Sequence, residues 1–233
     1  MLIDLKPLIQ ELRPNKIKNK NVVLGILKHG ENLDTENYIK SIEVEAEQLE
    51  VKTIVQDLEH TYIDISLLKK ADFLIPVKPF PLSFETLIKS QIKSYKDVDN
   101  FSGKSFYNNC TAEAVLEILE YLNVSTDKYV LVVGRHIGLE IFKLLLERDY
   151  TVGIAHSKTK NLKKITMNSD VIISCTGVQG LIKKDMVKAN SLVIDVGLGD
   201  VEEDVARKAH VTPVRNGVGA VTTQILFKHI LEQ

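Results

Sequence analysis

The hydrophobic residues of this chain fall into short runs, and the stretches between them place apolar residues at helical spacing. In the first half, "NVVLGIL" (21–27) and "VKTIVQDL" (51–58) have the pattern of strands. Between them, "DTENYIKSIEVEAEQLE" (34–50) predicts an amphipathic helix capped by Asp34 or Thr35. These elements, with a short strand and a proline-rich loop in "DFLIPVKPFP" (72–81), predict an α/β domain.

The second half alternates more regularly. The polar stretch "KDVDNFSGKSFYNN" (96–109) is the most linker-like segment, and a helix is predicted to follow it from Thr111. Apolar strands such as "YVLVV", "DVIISCTG" and "SLVIDVG" are separated by helical segments, which is typical of a parallel sheet covered on both faces. A final helix is expected from Gly219 or Ala220. We therefore predict an α/β protein of two α/β domains, the second a Rossmann-like, doubly wound parallel sheet.

Composition narrows the functional classes. The chain of 233 residues is 44% hydrophobic and 26% charged, with 30 basic and 31 acidic side chains, so no overall charge favours nucleic acid or a membrane surface. The start "MLIDLKPLIQ" lacks a secretory pattern, and no apolar run has membrane-spanning length. Cys110 and Cys175 have neither metal-binding nor disulfide spacing. We expect a cytoplasmic protein without a metal, nucleic-acid or membrane partner.

The stretch 130–159 predicts a strand, a glycine turn, a helix and a second strand, the unit that commonly binds a dinucleotide. The usual fingerprint has three glycines after the first strand, and only Gly134 and Gly138 are available here. On this signal alone, a plain strand-to-helix turn is an equal alternative.

The end of the second strand indicates which dinucleotide binds. NAD-specific sheets end this strand in an acid, but this chain has His156, Ser157 and Lys158, which suit an additional ribose phosphate. Arg135, directly after the turn, has a guanidinium that can also bind phosphate oxygens. The sequence therefore favours NADP, with the alternative that Lys158 is solvated surface and His156 is structural.

Several segments together resemble one enzyme family. "VVGRHIGLEIFKLLL", "HSKTKNL", "SDVIISCTG", "LVIDVGLGDV" and "TPVRNGVGAVT" occur in the order found in the bifunctional methylenetetrahydrofolate dehydrogenase/cyclohydrolase family, and "NYIKSIEVEAEQLEV" and "KDVDNF" extend the likeness into the first half. The resemblance implies a folate-binding catalytic domain over 1–110, an NADP-binding domain over 111–218, and a C-terminal helix, 219–233, packed back on the first domain. It also implies a cytoplasmic homodimer in one-carbon metabolism with a tetrahydrofolate derivative as substrate.

The resemblance assigns site residues by position. Tyr38 would line the folate site and Asp99 would meet the pterin ring. The remaining substrate-side residues form the family's glycine turn and helix start: Gly217, Val218, Gly219 and Thr222. Arg135 and Ser157 would hold the NADP phosphate, and the other cofactor-side residues would be Gly134, His156, Thr176 and Gly177.

The sequence differs from the family's pattern at positions that serve the family's catalytic chemistry. The family's catalytic lysine follows the tyrosine by four residues, and Ile42 occupies that place here. Lys40 points to a different helix face. Lys78, in "PVKPFP", falls near the family's lysine-contacting glutamine if one residue is deleted, whereas an ungapped alignment puts Val77 there. Lys78 is therefore the candidate for a relocated base, with a solvated loop lysine as the alternative. "GRHIGLE" is two residues shorter than the family's turn, and "RNGVGAV" replaces its Pro-Gly-Gly-Val-Gly-Pro-Met.

These features predict NADP-dependent oxidation of methylenetetrahydrofolate to methenyltetrahydrofolate, with weak or absent cyclohydrolase activity. Hydride transfer needs two well-placed rings, whereas opening the methenyl ring also needs a proton acceptor, so losing the lysine affects hydrolysis more. Two alternatives remain open: a non-catalytic relative that binds folate or a nucleotide, and a dehydrogenase of the same architecture for another metabolite.

Overall fold

The computed structural model describes residues 1–15, 21–58 and 65–232. They form two compact units. The five-stranded unit consists of Met1–Leu12 and Thr111–Thr222, and the three-stranded unit of Arg13–Cys110 and Thr223–Gln233. Among the described residues, none of the helices combines the length and apolar character that a bilayer crossing needs.

Eight helices and eight strands make up the described chain, apart from two short 3-10 turns. The helices are α1 (Lys6–Leu12), α2 (Leu33–Leu49), α3 (Ile65–Lys70), α4 (Leu82–Gln91), α5 (Cys110–Tyr121), α6 (Ile137–Glu147), α7 (Leu162–Thr166) and α8 (Val218–Leu231). The strands are β1 (Val23–Lys28), β2 (Lys52–Asp57), β3 (Phe73–Pro76), β4 (Val130–Gly134), β5 (Val152–Ala155), β6 (Val171–Cys175), β7 (Leu192–Asp195) and β8 (His210–Val211).

The sheet of the three-stranded unit has the order β2-β1-β3, with both pairings parallel. Its central strand, β1, buries Leu24, Ile26 and Leu27 completely. The helix that follows, α2, begins one residue before the predicted segment. Its cap is Asn32, whose side chain accepts a hydrogen bond from the Thr35 amide at 3.0 Å, so the predicted capping by Asp34 or Thr35 is wrong.

The sheet of the five-stranded unit has the order β5-β4-β6-β7-β8, and every pairing is parallel. Strands β4, β6 and β7 are buried along their whole length, which explains their uninterrupted apolar sequences. In this sheet β5 pairs with one edge of β4, and β6 pairs with its other edge. The carboxyl ends of β4 and β6 therefore form the topological switch point, where open α/β sheets bind their ligands.

The predicted fold class is confirmed, including a last helix that returns to the first α/β unit: α8 belongs to the three-stranded unit from Thr223 onward. The chain start differs from the predicted assignment of 1–110, because Met1–Leu12 groups with the five-stranded unit. The Ile3 amide donates to the Val211 carbonyl at 2.9 Å, and the Val211 amide donates to the Met1 carbonyl at 2.9 Å. The first residues thus lie along β8, which the hydrophobic pattern alone did not indicate.

Candidate active site

The glycine turn after β4 is shaped by close contact with β6. A Cβ atom at position 134 would lie 2.5 Å from Cys175 Sγ and 2.7 Å from the Cys175 carbonyl oxygen, and Gly134 has a φ of +147°. At position 138 a Cβ atom would lie 2.9 Å from the same sulfur atom. Both glycines are thus required by packing. His136 completes the short turn with a φ of 50° and a ψ of −99°, a conformation rare for a residue with a side chain.

The predicted phosphate-binding residues lie together at the carboxyl ends of β4 and β5. The guanidinium Nη2 of Arg135 is 3.3 Å from His156 Nδ1, and both side chains are exposed. The Lys158 amide donates to the same Nδ1 at 3.2 Å, so this nitrogen is the acceptor and Nε2 carries the proton. Ser157 and Lys158 are exposed in the same turn. We call Arg135, His156, Ser157 and Lys158 the phosphate cluster, after the ligand predicted for them. The cluster presents hydrogen-bond donors and the fixed positive charge of the Arg135 guanidinium to solvent.

Thr176 and Gly177 follow β6 at the switch point. A buried carboxylate holds Thr176 in place: Asp200 Oδ2 accepts from the Thr176 amide at 2.7 Å and from its hydroxyl at 2.8 Å. The Ser174 hydroxyl donates to the same oxygen at 2.7 Å. Gly177 has a φ of +69°, and a Cβ atom there would meet nothing within 4 Å. The backbone after β6 is therefore both fixed and open to a ligand. Sequence reasoning missed Asp200.

In the three-stranded unit, the charge of Asp99 acts on Tyr38. Both side chains are partly buried. Burial, with a smaller contribution from the Asp99 charge, raises the pKa of Tyr38 well above its usual value. Burial also raises the pKa of Asp99 to about 6. Asp99 Oδ1 accepts from the Cys110 amide at 2.8 Å, which places the carboxylate at the start of α5.

The neighbouring acid, Asp97, supports this loop. It is fully buried, and its two carboxylate oxygens accept from the Phe101 and Ser102 amides at 2.9 and 2.8 Å. These two contacts brace the loop that carries Asp99. Asp99 is the acid with a partly exposed side chain, and it is the better placed of the two for a ligand.

His229, on α8, was not predicted from the sequence. Its Nδ1 is 2.8 Å from the Val98 carbonyl oxygen and 3.6 Å from Cys110 Sγ. Its ring stacks on Tyr107, with centroids 4.8 Å apart and planes at 26°. The last helix therefore places an imidazole beside the Asp99 loop. A single histidine near the end of this helix gives no sequence signal for such a contact.

Lys78 lies directly after β3. Its ammonium is 3.4 Å from Glu85 Oε1 and 5.4 Å from the centroid of the Phe101 ring, and 53% of its side chain is exposed. The Lys78 carbonyl accepts from the Thr35 hydroxyl at 3.0 Å, which ties the loop to the first turn of α2. Ile42, one turn after Tyr38 on α2, is fully buried.

The segment before α8 is fixed by its backbone. A Cβ atom at position 217 would collide with the Pro213 carbonyl oxygen, so Gly217 admits no side chain. Val218 is buried at the first position of α8, and Gly219 is exposed with open space around its Cα. The Thr222 hydroxyl is buried and donates to the Val218 carbonyl at 2.9 Å. Thr222 thus has a structural partner within the helix.

The structure groups the predicted residues by unit. Gly134, Arg135, His156, Ser157, Thr176 and Gly177 lie at the carboxyl edge of the five-stranded sheet. Tyr38, Lys78 and Asp99 belong to the three-stranded unit, and Gly217, Val218, Gly219 and Thr222 lie where the chain passes from one unit to the other.

A parallel sheet with a glycine turn, the phosphate cluster after β4 and β5, and a fixed loop at the switch point is typical of nucleotide-binding proteins of the Rossmann class. The family model described as tetrahydrofolate dehydrogenase/cyclohydrolase, NAD(P)-binding domain, matches residues 109–233. A relative named bifunctional protein FolD, from Thermosipho africanus, is 33% identical over 100% of this chain and 97% of its own length. The chain belongs to the tetrahydrofolate dehydrogenase/cyclohydrolase family, as its sequence motifs predicted.

Solved structures agree with this assignment. The bifunctional FolD methylenetetrahydrofolate dehydrogenase/cyclohydrolase from Campylobacter jejuni has a TM-score of 0.85 and 27% identity, covering 100% of this chain and 97% of that one. The methylenetetrahydrofolate dehydrogenase-cyclohydrolase from Trypanosoma brucei, solved with NADP cofactor and inhibitor, has a TM-score of 0.84 and 25% identity, covering 99% and 96%. The likeness therefore extends over both units.

Proposed function

We propose that this chain oxidises methylenetetrahydrofolate to methenyltetrahydrofolate, using NADP as the hydride acceptor. The observation that carries the proposal is the phosphate cluster at the carboxyl ends of β4 and β5, next to the switch point of the five-stranded sheet. It occurs in a chain whose whole length matches bifunctional dehydrogenase/cyclohydrolases. NADP supplies the hydride acceptor, and the protein supplies binding and orientation.

The residues of the five-stranded unit fit NADP. Arg135, with the Ser157 hydroxyl and the turn around His156, would hold the additional ribose phosphate. Gly134 allows the backbone to approach the pyrophosphate, and the fixed backbone at Thr176 and Gly177 would border the bound cofactor. In NAD-specific sheets an acidic residue at the end of the second strand binds the two free ribose hydroxyls of NAD. β5 does not end in an acid, which favours NADP.

The residues of the three-stranded unit would hold the folate. The Asp99 carboxylate would accept hydrogen bonds from the pterin ring, and the Tyr38 side chain would pack beside it. The segment Gly217, Val218 and Gly219 would contribute backbone groups, since side chains are excluded at position 217. Thr222 would support that segment through its bond to Val218.

The hydrolytic step has no lysine at the family position, because Ile42 fills that place as a buried core residue. We infer a cyclohydrolase activity that is weaker than the dehydrogenase activity. Lys78 is the remaining candidate for a base, and its side chain forms an ion pair with Glu85 in this structure.

The second candidate function is a non-catalytic folate- or nucleotide-binding protein, and the shortened turn with the buried Ile42 favours it. One experiment separates the two. Purified protein is mixed with methylenetetrahydrofolate and NADP, and absorbance at the reduced-cofactor band is followed. We expect an increase that depends on both substrates. Thermal shifts with both ligands but no absorbance change would instead identify the binding protein, and no shift with folate would favour another substrate.

We further propose that the protein works as a cytoplasmic homodimer in one-carbon metabolism. The support is its membership of the family, for which the sequence motifs imply this assembly and location. Sedimentation of the purified chain tests the dimer directly.

A further inference from the structure

Two buried acids connect the loops that follow β6 and β7 in the five-stranded unit. Asp195, the last residue of β7, accepts through Oδ2 from the Gly199 amide at 2.9 Å and from the Val201 amide at 3.4 Å. Its Oδ1 accepts from the Asp200 amide at 3.3 Å. The Asp200 carbonyl in turn accepts from the Ile182 amide at 2.9 Å. These bonds fix the backbone of Asp200, and with it the place of its carboxylate.

The Asp200 carboxylate uses one oxygen for the loop after β6. Oδ2 accepts from the Thr176 amide at 2.7 Å, from the Thr176 hydroxyl at 2.8 Å and from the Ser174 hydroxyl at 2.7 Å. Oδ1 is buried without a hydrogen-bond partner among the described residues. It lies against the backbone of Gly197, where a Cβ atom would be 2.2 Å from it. Two of the three hydrogen bonds of this carboxylate therefore hold Thr176.

These bonds also set the direction of the Thr176 hydroxyl. Its hydrogen is donated to Asp200, and its oxygen accepts from the Val178 amide at 3.1 Å. A hydroxyl has one hydrogen and two lone pairs, so one lone pair is left for a ligand that donates. At Gly177, between the two bonded residues, a Cβ atom would meet nothing within 4 Å. The Thr176 turn (176–178) thus combines a fixed backbone with open space beside it.

The strand order indicates which half of a dinucleotide this turn would meet. The phosphate cluster lies at the carboxyl ends of β4 and β5, so the adenosine half with its additional phosphate would lie over β5. The glycine turn after β4 would meet the pyrophosphate. β6 pairs with the other edge of β4. A dinucleotide bound across the switch point continues over β6, which puts the Thr176 turn on the side of the nicotinamide half.

We propose that Asp200 is a positioning residue for NADP: by holding the Thr176 turn in place, it strengthens binding of the nicotinamide half and leaves binding of the phosphate-bearing half unaffected. The inference rests on the proposed function, in which NADP binds at this edge of the sheet. Asp200 is fully buried, so it acts through its bonds to Thr176 and not by contact with the cofactor.

The test compares NADP with adenosine 2′,5′-bisphosphate, which carries the ribose phosphate and lacks the nicotinamide half. Calorimetric titrations give the Kd of each ligand for the wild type and its variants. Asp200→Ala should raise the Kd of NADP about tenfold or more, because the turn must then be ordered on binding. The Kd of the bisphosphate should stay within about twofold of the wild-type value, since its contacts lie over β4 and β5.

Two further variants separate positioning from general stability. Asp200→Asn keeps an oxygen that accepts from Thr176, so its Kd for NADP should stay within about threefold of the wild-type value. Ser174→Ala is the matched control, because Ser174 donates to the same Asp200 oxygen from within β6 and outside the Thr176 turn. It should leave both affinities unchanged. Asp200→Ser replaces Asp200→Ala if the alanine variant folds poorly.

A second measurement uses the wild type alone. Hydrogen exchange of peptides that cover residues 175–180 should slow with saturating NADP and not with saturating bisphosphate. Equal slowing by both ligands would overturn the inference. So would an equal loss of affinity for both ligands in Asp200→Ala, or no loss for either. A wild type that binds neither ligand would instead refute the proposed function, and the inference with it.

Discussion

At the scale of single residues, Arg135 determines the cofactor preference that we expect. Its guanidinium is exposed beside His156, where it can contact a ribose phosphate that NAD lacks. Arg135→Ala should therefore weaken NADP binding by about 1.5 kcal/mol, the lower end for a charge-assisted hydrogen bond because the site is exposed. NAD binding should hardly change. Fluorescence titrations with both cofactors measure the difference.

Arg148→Ala is the matched control, since Arg148 is an exposed arginine at the end of α6 and lies outside the phosphate cluster. It should leave both affinities unchanged. Equal affinities of the wild type for NADP and NAD would contradict the cofactor assignment, and an equal loss for both cofactors in Arg135→Ala would place the arginine at the pyrophosphate.

Asp99 combines a structural contact with the pterin contact that we propose for it. Its Oδ1 satisfies the Cys110 amide at the start of α5, so part of the carboxylate is used to fix the helix. The burial that accompanies this contact raises its pKa to about 6, which brings its ionisation close to physiological pH.

At the scale of elements, the packing of α6 on β6 depends on two small residues in contact, Gly138 and Cys175. A Cβ atom at Gly138 would lie 2.9 Å from Cys175 Sγ, closer than such atoms approach in folded proteins. Gly138→Ala should therefore destabilise the protein, although the same change in an open helix position stabilises by about 0.5 to 1 kcal/mol. In a Cys175→Ala background the clash with sulfur disappears, and Gly138→Ala should become neutral or stabilising.

Denaturant unfolding of the wild type, both single variants and the double variant gives the coupling energy of the two positions. Additive effects would show that the turn relaxes without involving Cys175. The burial of the Cys175 thiol, which raises its pKa to about 12, agrees with a packing role for this residue.

The elements themselves were largely predictable because buried parallel strands leave uninterrupted apolar runs such as Val130–Gly134 and Val171–Cys175. The cap of α2 was missed because a single polar residue, Asn32, fixes the helix start and several polar neighbours compete with it. The placement of Met1–Leu12 was missed because the contacts with Val211 are between backbone groups and leave no side-chain pattern.

The candidate site was predictable only where it lies at a strand end. Gly134 ends β4, and Arg135 and His156 directly follow β4 and β5, so parallel-sheet geometry places them on one edge. His229 and Asp200 make contacts between parts of the chain that are distant in sequence. Asp200 lies within "LVIDVGLGDV", but the sequence around either residue does not indicate its partner.

At the scale of the whole molecule, the proposed function separates hydride transfer from hydrolysis. Hydride transfer needs two rings held in fixed positions, whereas hydrolysis also needs a side chain that accepts a proton. Ile42 is fully buried at the place of the family's lysine, so this position provides no base. We expect dehydrogenase turnover to exceed methenyltetrahydrofolate hydrolysis clearly when both are measured under identical conditions. Equal rates would show that another group acts as the base.

Lys78 is the group to test for residual hydrolysis, and the chain offers a closely matched control. The Lys78 and Lys89 ammonium groups both pair with Glu85, at 3.4 and 3.5 Å, and both lie over the Phe101 ring. Lys78→Met should abolish the remaining hydrolysis and leave NADP affinity unchanged if the base has moved to this loop, while Lys89→Met should leave hydrolysis intact. Hydrolysis that persists in Lys78→Met would show that Lys78 does not act as the base. Lys78 would then be a solvated partner of Glu85, as Lys89 is.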